Sequence, residues 1–281
     1  MEHPIVLASL AISDADRFAL ANAKETLENP GLAAKIVDLV GTPVEKAFTF
    51  LPANWRDVIQ DVTNKALTTA LKAAVATLDD RTGQAASNFF HKALCAASGA
   101  IGGALGLATL PVELPVSTVV MLRSIADIAR SEGEDLGSME TRLACLEVFA
   151  LGGRSDADDA FETGYFAARA VLAREVSEVL KFIAQKGLVE EAPAVVRLIA
   201  AISTRFGAAV SQKVAAQLVP VVGGVGGALV NIVFIDHFQG VARGHFTVRR
   251  LERIYGAAET KRLYDEIRVD GHTPSRALQA K

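Results

Sequence analysis

Apolar residues recur along most of this chain at intervals of three to five positions, and no strand-length stretch alternates apolar with polar, so the pattern predicts helices throughout. The clearest stripe runs through residues 55 to 78. Val58, Val62, Leu67, Leu71, Val75 and Leu78 share one side there, and Asp57, Asp61 and Lys65 occupy the others. A long amphipathic helix is expected from Asp158 to about Gln185, with Phe161, Tyr165, Ala168, Leu172, Val176, Val179 and Ile183 on its apolar face. Pro193 opens another through Val196, Ile199, Ile202 and Phe206, which can reach Leu218 before Pro220 bends the chain. Shorter helices follow from local signals. Ser13 and Asp16 form a capping box for a helix that Asn29, Pro30 and Gly31 stop, and Leu32 to about Val40 ends at Gly41. Pro115 suits the first turn of a helix running to about Ser131, where Gly133 ends it. Ser138 caps one to Ala150, and the last runs from about Ala257 to Ile267. Gly152 and Gly153, with the charged residues that follow them, are expected to form a surface loop.

Two stretches depart from this amphipathic pattern. Ala93 to Leu122 holds a single charge, Glu113, and Val214 to Ile235 holds none. Both carry the order G-x-x-G-G-A-L, as Gly99, Gly102 and Gly103 before Ala104 and Leu105, and as Gly223, Gly226 and Gly227 before Ala228 and Leu229. Glycines four apart lie on one helix face and let a neighbouring backbone come close, which is the role expected of these six. Phosphate-binding loops need other spacings, with a lysine before serine or threonine in one of them, and neither block supplies these. The predicted fold is all-α, a multi-helix bundle with two glycine-rich apolar helical hairpins at its core. Residues 1–52 are expected as a helical extension, 53–268 as the main helical domain and 269–281 as a flexible tail.

The second apolar stretch is long enough to span a bilayer. Its content argues for burial in a protein core, because Gln217, Pro220, Asn231 and the glycines weaken insertion, and Glu113 at a bilayer centre would cost about 2.5 to 3.5 kcal/mol. Docking on a membrane surface stands between these cases. Between Gln239 and Arg253, Arg243, Arg249, Arg250 and Arg253 face one acid, Glu252, for a local charge of +3. This row is expected to meet an anionic lipid surface or an acidic partner.

Composition narrows the remaining classes. The 281 residues are 51% hydrophobic, enough for a large core, while a net charge of −3 and 6% aromatics do not favour nucleic acid. Cys95 and Cys145 sit in apolar helical patterns without metal-ligand spacing, which fits a reducing cytoplasm. The N-terminal residues lack the basic start of a signal peptide, so a cytoplasmic protein is expected, peripheral at the inner membrane if it docks there. No cofactor is expected. For chemistry, Glu113, Arg123 and Asp127 make a polar group in or beside the first apolar block, and an internal ion-pair network explains them as simply as catalysis does. Asp236 and His237, with His245 and His91, lack the regular spacing of a metal site, so no metal is expected. Ser98 and Ser117 lack the G-x-S-x-G setting of an activated nucleophile.

Three blocks taken together resemble the EcsC family of bacterial proteins: LPVELPVSTVVMLRSIADIAR from Leu110, VPVVGGVGGALVN from Val219 and HFTVRRLERIYG from His245. The similarity covers roughly residues 50 to 268. The family is named for a gene beside an ABC-transporter pair, so the resemblance implies a bacterial, mainly helical protein linked to membrane processes, and it supplies no catalytic residues. The expectation is a non-enzymatic helical protein acting at the inner membrane surface or on a transporter-like membrane-protein partner. The alternative is a hydrolase or metal-dependent enzyme using Glu113, Asp127 or the Asp236–His237 pair.

Overall fold

The computed structural model describes residues 12–28, 31–41, 46, 48, 51, 54–77, 109–153, 164–218 and 223–267. Among these residues the chain forms nine α-helices and no strand. They are α1 (Asp14–Glu28), α2 (Leu32–Val40), α3 (Trp55–Thr77), α4 (Leu110–Ser131), α5 (Met139–Leu151), α6 (Tyr165–Lys186), α7 (Pro193–Gln217), α8 (Gly223–Tyr255) and α9 (Ala257–Glu266).

The 33-residue helix α8 is the axis of the bundle. At 1.5 Å per residue it is about 50 Å long, and it packs against α1, α2, α4, α5, α7 and α9. Its apolar first half and charged second half are continuous through Asp236 and His237. Directions follow from paired side chains. Asn231 meets Glu113 and Arg249 meets Glu134, so α4 runs alongside α8 in the same sense. Lys213 lies over the Phe234 ring and Gln217 bonds Asn231, so α7 runs antiparallel to α8. Helix α3 is antiparallel to α7, with Gln60 bonded to Ser203 and Lys72 paired with Glu190. Phe149, Phe206, Phe234 and Phe238 interlock where α5, α7 and α8 meet, with ring centroids 4.9 to 6.1 Å apart. Each such fully buried ring contributes about 1.5 to 3 kcal/mol by removing apolar area from water.

Local signals explain several helix ends. Ser13 Oγ accepts from the Asp16 N–H and donates to its carboxylate at the start of α1. Glu28 supplies the cap that α6 lacks locally, accepting the Tyr165 N–H at 3.3 Å and the Tyr264 hydroxyl at 2.9 Å. Helix α4 begins at Leu110, five residues before the expected start. Pro111 stands in its first turn, where a missing N–H costs no bond, and Pro115 is carried inside the helix.

The two glycine blocks fall only partly within the described residues. Gly99, Gly102 and Gly103 fall outside the described residues. Gly223, Gly226 and Gly227 lie at the start of α8, and Gly227 is buried. The close approaches that can be measured lie elsewhere. A Cβ on Gly244 would stand 3.0 Å from Leu27 and 3.3 Å from the Ala23 carbonyl, so α1 crosses α8 there. A Cβ on Gly153 would stand 2.1 Å from the Arg205 carbonyl, and one on Gly152 would stand 2.5 Å from the Phe238 ring. Both of these residues, expected in a surface loop, are buried. They let the end of α5 press onto α7 and α8.

Candidate functional site

Polar groups enter the core at several places along α8, and charged side chains gather at two of them. Near its start, Lys213 of α7 places Nζ 2.6 Å from Glu113 Oε1, and the Asn231 amide donates to the same oxygen at 3.2 Å. The Lys213 and Glu113 side chains are 1% and 6% exposed. Gln217 donates to Asn231 at 3.5 Å and completes the group. Glu113 thus has the partner that a charge in an apolar run demands. Asp127 bonds Arg130 at 2.9 Å, and Arg123 is exposed. Fourteen positions of helix separate Glu113 from Asp127, which is about 21 Å.

Three apolar side chains stand exposed around the first group. Val112 and Val116 project from the start of α4 at 72% and 51% exposure, and Leu229 from the start of α8 at 42%. The Asn231–Glu113 bond holds these two helix starts together. Both glycine-rich sequence blocks join the described structure at this pole, one leading into Thr109 and the other opening α8 at Gly223.

The second polar region lies toward the end of α8. Arg249 grips Glu134 through two bonds of 2.9 and 3.1 Å, and Arg253 reaches the same carboxylate. Arg250 pairs with Asp16 at 3.0 Å and Glu132 at 2.9 Å. Three of the four arginines expected to form an outward basic row are therefore answered inside the fold, by acids on α1 and the α4–α5 connection. Burial pushes the Glu134 carboxyl up, and the bonds and charge of Arg249 and Arg253 outweigh it and hold it below the usual range. Hydrogen bonds from Tyr255 and Arg250 lower Asp16 in the same way. Arg243 is exposed beside α1, at a groove of about 340 Å³ that Asn22 and Thr26 also line.

Deeper in this region, Arg169 of α6 makes a two-pronged bond to Glu252 at 2.8 and 2.7 Å. The Tyr165 hydroxyl lies 2.9 Å from His245 Nδ1, and His245 Nε2 has no partner among the described residues. Burial, reinforced by Arg169 and Arg249, holds His245 well below the usual imidazole range. Glu147 of α5 is 6% exposed, and burial pushes it up to about 7 against the opposing pull of Arg169 and Arg249.

The remaining sequence candidates are spread out. His237 Nε2 lies 2.6 Å from the Gly152 carbonyl, so that nitrogen carries the proton and the ring pins the end of α5. Asp236 is half-buried on the same helix. Among the described residues no three histidine, cysteine, aspartate or glutamate side chains gather to hold a metal ion. Cys145 is buried among apolar neighbours, which pushes its thiol far up. One described helix, Pro193–Gln217, is long and apolar enough to cross a membrane, and half of its most apolar window is buried within the fold. The Lys213 partner, the Arg169–Glu252 bond and the Glu147 group have no local sequence signal, since each depends on helices that meet only in the folded chain.

Against known proteins, the model of the EcsC protein family matches residues 19–251. No curated protein and no solved structure matches the chain.

Proposed function

Since the chain belongs to the EcsC protein family over residues 19–251, we propose that it is a non-enzymatic helical protein of the bacterial cytoplasm that docks on the inner membrane. The observation that carries this reading is the exposure of Val112, Val116 and Leu229 at the pole where α4 and α8 begin. Single exposed apolar residues are ordinary on a protein surface. These three stand on two helix starts joined by the Asn231–Glu113 bond, and each start adjoins a glycine-rich block in the sequence. The arginine row contributes less to this reading than its sequence suggests, because Arg249, Arg250 and Arg253 are spent on Asp16, Glu132 and Glu134. Arg243 is the arginine of the row left to meet an anionic headgroup or an acidic partner. The hydrolase or metal-dependent alternative would use Glu113, Asp127 or the Asp236–His237 pair, and no observation on these residues favours it.

Co-sedimentation with vesicles tests the proposal. Full-length protein is expected to pellet with phosphatidylglycerol-containing liposomes, and Val112→Asp with Leu229→Asp is expected to abolish this while leaving the melting temperature within a few degrees. Wild-type protein that stays in the supernatant with every vesicle, or a double variant that pellets like wild type, overturns it. Pelleting that occurs only with native bacterial membranes, and not with pure lipid, assigns the pole to a membrane-protein partner instead.

A further inference from the structure

We propose that the groove between α1 and α8 is a binding site for a phosphodiester, held by the Arg243 guanidinium, the Thr247 hydroxyl and the Asn22 side-chain amide. Small residues make room for it. Ala19 and Ala23 of α1 line the groove with Gly240 and Gly244 of α8, and the helices approach so closely there that a Cβ on Gly244 would stand 3.0 Å from Leu27. Beside that contact lies a space of about 340 Å³, the size at which small-ligand pockets begin.

The polar side chains around this space differ in what they have left to donate. A threonine within a helix can return its hydroxyl proton to the carbonyl four residues back, as Thr26, Thr69, Thr118 and Thr204 do here. Thr26 therefore brings no free donor to the groove. Thr247 makes no such bond. It is only 9% exposed, yet its hydroxyl has no hydrogen-bond partner among the described residues and keeps access to solvent through the groove. A nearly buried donor is thus turned toward the groove. Arg243 stands one turn before it on the same face of α8, and Asn22 lines the opposite wall from α1.

Charge sets the sign of the ligand. No described residue lining the groove is acidic, and Arg243 has no carboxylate partner among the described residues, whereas Arg249, Arg250 and Arg253 are answered by Glu134, Glu132 and Asp16. One unanswered guanidinium with two neutral donors suits a single negative charge spread over several acceptor oxygens. Arg243 and Thr247 approach from one wall and Asn22 from the other, so those oxygens must point both ways. A flat carboxylate turns both of its oxygens to one side, and a tetrahedral phosphodiester does not. Its two ester arms can run along the alanines and glycines. Lipid headgroups and soluble diesters share this chemistry; the lipid source rests on the membrane docking proposed above, and the site itself does not.

Nitrogen-15 spectra of the full chain, titrated at fixed ionic strength with glycerophosphoglycerol, acetate and glycerol, test the site. The Asn22 side-chain amide, the Arg243 Nε–H and the Thr247 backbone amide are expected to shift saturably with the diester, and with neither acetate nor glycerol. Arg243→Gln should weaken binding at least about tenfold and Thr247→Val about threefold, the losses of a charge-assisted and of a neutral hydrogen bond. Should Thr247→Val fail to fold, the exposed Arg243 position decides alone. Absence of saturation with the diester, an equal response to acetate, or undiminished affinity in Arg243→Gln overturns the proposal. Tighter binding of dihexanoyl phosphatidylglycerol, kept below its micelle concentration, supports a lipid ligand, and equal binding supports a soluble diester. The titration contains no membrane. A bound diester with protein that ignores vesicles therefore refutes the docking reading alone, and pelleting through Val112 and Leu229 without a bound diester refutes the groove alone.

Discussion

Lys213 and Glu113, one hundred positions apart, meet at 2.6 Å inside the bundle with almost no exposure to solvent. The pair ties α7 to α4, and Asn231 brings α8 to the same oxygen. Two buried charges are tolerated because each answers the other, and removing one strands its partner. Lys213→Met is therefore expected to lower stability by about 3 to 5 kcal/mol. Combined with Glu113→Leu, it should recover most of that loss, because no unpaired charge then remains. Urea denaturation of the two single variants and the double variant measures the coupling. Losses that simply add would show that the pair does not act as a unit.

Two glycines are expected to respond to alanine with opposite signs. At Gly153 the new Cβ meets the Arg205 backbone carbonyl at 2.1 Å, and a backbone cannot swing aside as a side-chain tip can. Gly153→Ala should cost about 1 to 3 kcal/mol through overpacking. At Gly207, inside α7, the only atom near a new Cβ among the described residues is Gln60 Oε1 at 3.9 Å, an ordinary contact. Gly207→Ala should gain up to about 1 kcal/mol from helix propensity. Thermal melts of both variants check the pair of signs, and a stabilised Gly153→Ala would contradict the close approach of α5 to α7.

The contrast between these glycines shows where the sequence was legible. Helices declare themselves locally, through apolar spacing along α3 and α6, through Ser13 with Asp16, and through Pro193 and Gly133, so their existence could be read directly. Glu113 could be recognised as needing a partner because it stands alone in an apolar run. Lys213 could not be recognised as that partner, since its burial comes from α4, a hundred residues away. The arginine row misled for the same reason. Its local charge of +3 is real, yet Glu134, Glu132 and Asp16, which answer it, lie 115, 118 and 234 positions distant. Gly152 and Gly153 look like a loop before a charged run, and only the folded chain places Phe238 and Arg205 against them.

Reversing charge in that row separates structural arginines from exposed ones. Arg249→Glu would set a second carboxylate against buried Glu134, leaving two like charges and no fork, and should cost about 3 kcal/mol or more. Arg243→Glu changes an exposed position and should alter stability by no more than about 0.5 kcal/mol. Denaturation curves for the two variants test this. Equal effects would mean that the Arg249–Glu134 bond contributes no more to the fold than an exposed charge does. Binding of Arg243→Glu to anionic vesicles can then be compared with wild type without interference from unfolding.

His245 makes stability depend on pH in a direction that follows from its surroundings. Burial, then Arg169 and Arg249, keep the ring neutral in the folded chain, where Tyr165 holds Nδ1 and Nε2 lacks a partner among the described residues. In the unfolded chain the same ring titrates near 6.5. Its folded value is the lower one, so its contribution to stability is present above about pH 6.5 and is lost as pH falls below it, by at most about 1.4 kcal/mol per pH unit. Glu147 works in the opposite sense. Its folded value is raised from 4.5 to about 7, so its contribution is complete below 4.5 and lost as pH rises toward 7. The two slopes overlap, and each is isolated by subtracting a variant from wild type. Urea unfolding at pH 5, 6, 7 and 8 should show that His245→Gln loses less stability than wild type between pH 6.5 and 5, whatever its absolute stability. Parallel curves for the two proteins over that interval would mean that His245 takes up its proton as readily folded as unfolded, and that burial beside Arg169 and Arg249 does not keep the ring neutral.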